Sequence, residues 1–205
     1  MSTAASTVLQ ALRAGDVIPN VVPESATAGV TSALRVHYPE YTISEGEAIP
    51  RAATLKQPDL EFQNAESNAT YTIIMADPDL THKNDKASSL QSFDETSKRT
   101  AAATSATALN DYVPPSPAYG TGKHRYVFIA AKEPAGYAGP QGKDFPTNGP
   151  ADLKDRMRFD AARYCSEENL TIEAVGFMQV DADAAATKDN IALTGEAIKN
   201  AIIGK

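Results

Sequence analysis

Apolar and polar positions divide the chain into strands, loops and a few helices. In ALRVHYPEY, Leu34, Val36 and Tyr38 occupy every second position, the period of a strand with one buried face. YTIIMA, from Tyr71 to Ala76, is almost wholly apolar and predicts a strand at the centre of a sheet. HRYVFIAA from His124 and TIEAVGFMQVD from Thr171 predict two more strands, and Leu60–Phe62 a short one. Helical spacing occurs three times. Val8, Leu9 and Leu12 share a face within residues 7–14. DLKDRMRFDAARYCSEEN predicts a helix capped by Asp152, with Phe159, Ala162 and Cys165 or Tyr164 facing inward. ATKDNIALTGEAIKNAII predicts an amphipathic terminal helix over 187–203, with Ile191, Ile198, Ala201 and Ile202 on one side.

The remainder is punctuated by proline and glycine. DVIPNVVPES, DYVPPSPAYGTGK and KEPAGYAGPQGKDFPTNGPAD read as loops. Residues 81–110 hold few large apolar side chains and include a low-complexity Ala/Thr/Ser run at 100–108, so they read as solvated loop or loosely held helix. No repeat and no linker divides the chain. The pattern predicts a mainly β fold with peripheral helices in a single domain spanning 1–205. Its core is expected over about 15–182, with 183–205 as a C-terminal helical extension.

Composition narrows the function classes. The chain has 205 residues, 42% hydrophobic and 22% charged, as in ordinary soluble domains. A net charge of -7 and a pI near 5.0 argue against a nucleic-acid surface or an anionic membrane patch, while leaving room for a local basic pocket. A lone Cys165 excludes an internal disulfide and reads as inert packing. MSTAASTVLQALRAGD lacks a basic start and a continuous apolar run, and no stretch reaches the length of a membrane span. The expected location is therefore cytoplasmic. With no HExxH, CxxC or Cys/His cluster, and His37 and His82 isolated, no metal or cofactor is expected.

Candidate chemistry concentrates where two strands have their ends. YTIIMA runs into Asp77-Pro78-Asp79. Asp and Pro are good turn residues, so a plain turn explains this; the acids equally suit a site. His124 opens its strand directly after GTGK. Tyr126 shares its side, and Arg125 points the other way. Gly120, Thr121 and Gly122 form a loop whose backbone N–H groups can make an anion-holding nest. GTGK is too short for a phosphate loop and leads into a strand, and no GxSxG elbow is present. Asp77 and Asp79 share a side if the chain stays extended through Pro78. One acid beside His124 would orient its imidazole; two acids together would make an acid–base pair. Spacing does not choose between these.

YTIIMADPD followed by YVPPSPAYGTGKHRYVFIAAKEP resembles the phosphatidylethanolamine-binding protein family, which includes the Raf kinase inhibitor protein and fungal carboxypeptidase Y inhibitors. The family pairs a DPDxP element with a GxHRY strand, here Asp77-Pro78-Asp79 and Gly122-Lys123-His124-Arg125-Tyr126. DVIPNVVPES, LRVHYPEY with Gly46, and RFDAARYCSEENLTIEAVGFMQVD extend the likeness over most of 15–182, in the manner of a divergent fungal-type member. The resemblance implies a central sheet packed on a smaller one, with C-terminal helices. It implies an anion pocket where the two motifs meet. Asp77, His124, Tyr126 and the Gly120, Thr121 and Gly122 loop would bind ligand, and Asp79 with Arg125 would form a structural ion pair. Two departures stand out. Thr81 replaces the family's proline, and SSLQSFDETSK, with no histidine and little strand character, replaces a strand carrying a pocket histidine. One pocket wall is therefore expected to be rebuilt around Gln91, Ser92 or Phe93.

The resemblance favours a binding module for a small anion or phosphorylated headgroup that inhibits a protease or modulates a kinase. The alternative is a cofactor-independent enzyme of fungal secondary metabolism, such as maleic-anhydride dimerisation in maleidride formation. Asp77 and His124 would then be its acid–base pair, and the GTG amides would stabilise an oxyanion or enolate. A scaffold with a vestigial pocket is the third reading. The oligomeric state is open, a homodimer included.

Overall fold

A computed structural model describes residues 3–79, 90–97, 112–117, 120–140 and 159–184, with residues 90–97 described by their backbone. Helix α1 covers Thr3–Ala14. The strands are β1 Ser32–Ala33, β2 Arg35–Tyr38, β3 Tyr41–Ile43, β4 Glu45–Ala48, β5 Asp59–Glu61, β6 Tyr71–Asp77, β7 Leu90–Ser97, β8 His124–Lys132 and β9 Thr171–Val180. Helix α2, Ala161–Glu167, precedes β9.

The larger sheet has the order β1-β9-β8-β6-β7, with β4 also pairing β9; the smaller has the order β3-β2-β5. The strands β6, β8 and β9 run antiparallel to their neighbours in that trio, whereas β1 and β4 lie parallel to β9. Every residue of β6 is buried, because its sheet is covered on both faces. On one face Ile74, Val127, Ile129, Val175 and Phe177 pack with Val8, Leu9 and Leu12 of α1 and with Tyr164 and Cys165 of α2. On the other, Ile73, Met75, Phe128 and Ala130 pack with Leu34, Val36 and Tyr38 beside β5's Leu60. The mainly β fold with outer helices is the one expected from the residues, and the smaller sheet packed on the larger is what the resemblance implies.

Several boundaries differ from expectation. Helix α1 starts at Thr3 rather than residue 7. Helix α2 starts at Ala161, where the Asp160 carboxylate accepts from the Arg163 N–H at 3.0 Å as N-cap. Asp152 and the terminal helix at 187–203 lie outside the described residues. Cys165 is buried in the core on the helix side of the sheet, as a packing residue should be. No helix among the described residues is long and apolar enough to cross a membrane.

The larger correction concerns SSLQSFDETSK. Its residues Leu90–Ser97 form β7, antiparallel to β6 from Tyr71↔Ser97 to Asp77↔Leu90. The register shifts between Met75 and Ala76: Phe93 faces Met75, and Gln91 faces Ala76. Ser92 is the extra residue of a β-bulge. A bulge offsets the two-residue period by one, so Leu90 and Phe93 stand three apart and the alternation that marks a strand is lost. The rest of 81–110 lies outside the described residues, as do the side chains of Gln91, Ser92 and Phe93 and their role as a pocket wall.

Candidate functional site

Antiparallel pairing of Ala76 with Val127 sets the end of β6 beside the start of β8. Strand alternation then sorts the side chains. Tyr126 joins the apolar layer facing the small sheet, and Val127 joins the layer facing the helices. His124 therefore falls on Tyr126's side and Arg125 on the side of α1. The two rings lie 6.5 Å apart at 24° between their planes.

The turn after β6 separates the two aspartates. The Asp79 N–H donates to Asp77 Oδ1 at 2.8 Å, an Asx-type closure that bends the chain at Pro78. The chain does not stay extended, so Asp77 and Asp79 do not form a carboxylate pair on one side. Each takes its own partner from β8.

Asp77 Oδ2 accepts from His124 Nδ1 at 2.9 Å, with both side chains buried. The Tyr126 hydroxyl also hydrogen-bonds Asp77. It accepts from the Ser116 N–H at 3.1 Å, which leaves its own proton for the carboxylate. Burial, and after it the charge on Asp77, push the Tyr126 phenol well above its ordinary range, so it remains a donor in alkaline solution. At the other end of the imidazole, His124 Nε2 lies 2.6 Å from Thr121 Oγ1. In the neutral ring with Nδ1–H committed to Asp77, Nε2 is the acceptor and the Thr121 hydroxyl the donor. Gly120 and Gly122 have φ of +85° and +84°, while Thr121 between them does not have a positive φ. This alternation of sign is the backbone pattern of an anion nest and requires glycine at both ends. Among the described residues, a Cβ at either glycine would meet nothing within 4 Å.

Asp79 holds Arg125 in a two-pronged pair, with Nη2 donating to Oδ1 at 2.6 Å and Nε to Oδ2 at 2.8 Å. The Arg125 N–H adds a 3.0 Å bond to Oδ2. Nη1 reaches across to the carbonyls of Gly15 at 3.1 Å and Asp16 at 2.8 Å, just past the end of α1. The pair thus ties the turn after β6, the start of β8 and the exit of the first helix. These contacts lie on the side of the sheet away from His124.

A buried arginine was missed by sequence reasoning. Arg51 donates from Nε to the Pro115 carbonyl at 2.9 Å and from Nη2 to Ser116 Oγ at 3.3 Å. It fixes the segment whose Ser116 N–H holds Tyr126. Nothing in IPRAATL signals this, because its partners lie 64 and 65 positions downstream. Tyr112 on the same segment donates to the Thr54 carbonyl at 2.7 Å, and burial pushes its phenol up to about 12. His37 lies elsewhere, between Thr42 and Glu61 on the small sheet; His82 and Thr81 are outside the described residues.

The family profile of phosphatidylethanolamine-binding proteins matches residues 39–176. Solved structures share the fold. A carboxypeptidase Y inhibitor, solved in complex with its cognate proteinase, superposes with a TM-score of 0.70 at 21% identity, over 87% of this chain and 96% of that one. A phosphatidylethanolamine-binding protein from Plasmodium vivax gives 0.72 at 20% identity, over 85% and 97%. One from Plasmodium falciparum gives 0.63 at 16% identity, over 84% and 96%. These identities speak for the fold, and the profile match covers both strands that carry the Asp77–His124 pair. The chain belongs to the phosphatidylethanolamine-binding protein family.

Proposed function

We propose that this protein is a binding module for a small anionic group, a phosphate monoester or a carboxylate, received at Thr121, His124 and the Gly120–Gly122 loop. One observation carries the reading: the buried Asp77 carboxylate holds His124 Nδ1 at 2.9 Å, which aims Nε2 toward the glycine loop. An anion that displaces the Thr121 hydroxyl meets an imidazole able to donate from Nε2 while Asp77 balances the ring's positive charge. Asp77 itself stays beneath the ring, where it supports the donor without repelling the ligand directly. Tyr126 positions Asp77, and Arg51 positions the segment that positions Tyr126. A protein partner of the protease or kinase type, and a cytoplasmic location, complete the proposal. Family membership supports the first, and the acidic composition with a single cysteine supports the second.

The test is a thermal-shift titration with phosphate, phosphoethanolamine and dicarboxylates, on the native chain and on His124→Ala and Asp77→Ala. A ligand at 100 times its Kd stabilises by about 2.7 kcal/mol, roughly 5–10 °C for a domain of this size. The shift should vanish in both variants. An equal shift in the variants, or none in the native chain with any of these anions, removes the reading. Stabilisation by dicarboxylates alone would narrow the ligand to a carboxylate, the substrate class of the acid–base alternative that uses the same Asp77–His124 pair.

A further inference from the structure

We propose that Thr121, His124 and Asp77 form a nucleophile–base–orienter relay that takes an acyl group from a small ester or thioester onto Thr121. The proposal goes beyond anion binding while using the same histidine and aspartate. Three features carry it. Thr121 Oγ1 lies 2.6 Å from His124 Nε2, and His124 Nδ1 lies 2.9 Å from Asp77 Oδ2, an unbroken line of hydroxyl, imidazole and carboxylate. This is the arrangement in which a weak hydroxyl nucleophile is activated by a base held in one tautomer. Burial is graded along the line. Thr121 is half-exposed, whereas His124 and Asp77 are buried, so the nucleophile alone meets solvent while base and orienter are sheltered. Finally, among the described residues nothing lies within 4 Å of a Cβ built at either glycine beside Thr121, so the described chain leaves room beside this loop for a small acyl group.

The step balances without a cofactor. Thr121 Oγ1 attacks the carbonyl carbon as its proton passes to His124 Nε2, and the carbonyl π pair moves onto oxygen. Collapse expels an alkoxide or thiolate, which takes the proton from Nε2. Water then attacks the acyl carbon and gives a proton to Nε2, which returns it to Oγ1 as the carboxylic acid leaves. Asp77 keeps the Nδ1 proton in place throughout and acts as the positioning residue. The alternating φ signs at Gly120, Thr121 and Gly122 are those of a nest, whose backbone N–H groups would be the donors to the carbonyl oxygen as it acquires charge.

The experiment incubates the full chain with p-nitrophenyl acetate, follows p-nitrophenol release, and maps the acetylated peptide by mass spectrometry. Native protein, Thr121→Val, Thr121→Ser and His124→Gln are compared. One acetyl group should appear on Thr121. Release should fall about 100-fold in Thr121→Val and His124→Gln, the scale of lost acid–base assistance. Thr121→Ser should be acetylated at the same position. Thr121→Val should keep the native unfolding temperature, so that lost release is not lost folding, and the phosphate-induced shift is read on the native chain alone, which separates this proposal from the binding reading. Acetylation confined to lysine or tyrosine side chains, or native release from Thr121→Val, would overturn it. So would a Thr121→Ser variant that is neither acetylated at that position nor active in release, because Thr121 would then only hold His124. Acetylation of Thr121 in a chain that phosphate fails to stabilise would uphold the relay and remove the anion reading instead.

Discussion

Asp79 and Arg125 meet in a buried ion pair: their side chains are 2% and 5% exposed, and the closest approach is 2.6 Å. Removing one member leaves the other charge buried without its opposite charge. Arg125→Ala is therefore expected to cost about 3–5 kcal/mol, a large part of the 5–15 kcal/mol that holds a typical domain together. It should weaken stability more than anion affinity, because Arg125 lies on the side of the sheet away from His124. Urea unfolding beside ligand titration checks the ranking, and the reverse order would make Arg125 a ligand contact. Replacing both partners with apolar residues of similar size should recover most of the loss.

Tyr126→Phe removes one proton from Asp77 and one acceptor from the Ser116 N–H. Both partners remain buried or half-buried, so the expected cost is about 1–3 kcal/mol in unfolding free energy. Anion affinity should fall as well, since Asp77 loses a fixed contact. A variant with unchanged stability would show that water replaces the phenol without penalty.

Gly176 sits inside β9, where a strand normally avoids glycine. The Leu34 carbonyl presses against the place a Cβ would take. Its φ is not in the left-handed region, so the objection to a side chain is contact alone. Gly176→Ala should force β2's approach and β9 apart and cost about 1–3 kcal/mol. A denaturation midpoint equal to that of the native chain would contradict the close packing of these backbones.

Burial raises the Glu133 carboxyl above its ordinary range, partly offset by the 2.9 Å bond from Thr72 Oγ1. A carboxyl with a raised folded value binds its proton more tightly in the folded state. It therefore lowers stability as pH climbs from the unfolded value, about 4.3, through the folded one. Glu133→Gln keeps an acceptor for Thr72 and removes the charge. The variant should be the more stable at pH 7, by no more than about 1 kcal/mol because the group is half-exposed. The gap should close at pH 4 and below. A pH-independent difference would assign the effect to something other than ionisation.

Much of this protein is written in local pattern. The apolar run Tyr71–Ala76 dictates a strand covered on both faces, because only such a site buries successive residues. The alternation Leu34, Val36, Tyr38 dictates one buried face. The same alternation puts His124 and Tyr126 on one side and Arg125 on the other before any partner is known. The family likeness of the two motifs then brings Asp77 to His124. What tertiary structure decided are the relations that depend on chain geometry between distant residues. Asp77 and Asp79 diverge because the Asx closure at Pro78 bends a chain that spacing alone leaves extended. Strand β7 escaped notice because a bulge at Ser92, imposed by pairing with β6, breaks the period that betrays a strand. Arg51 escaped because a single arginine carries no period, and its partners at Pro115 and Ser116 arrive only when the sheets close. The Thr121 hydroxyl likewise faces His124 through two left-handed glycines whose angles permit that loop but do not by themselves aim its side chain. Periodicity reports burial; it does not report which buried polar groups will find each other, since that is settled by distances across the assembled core.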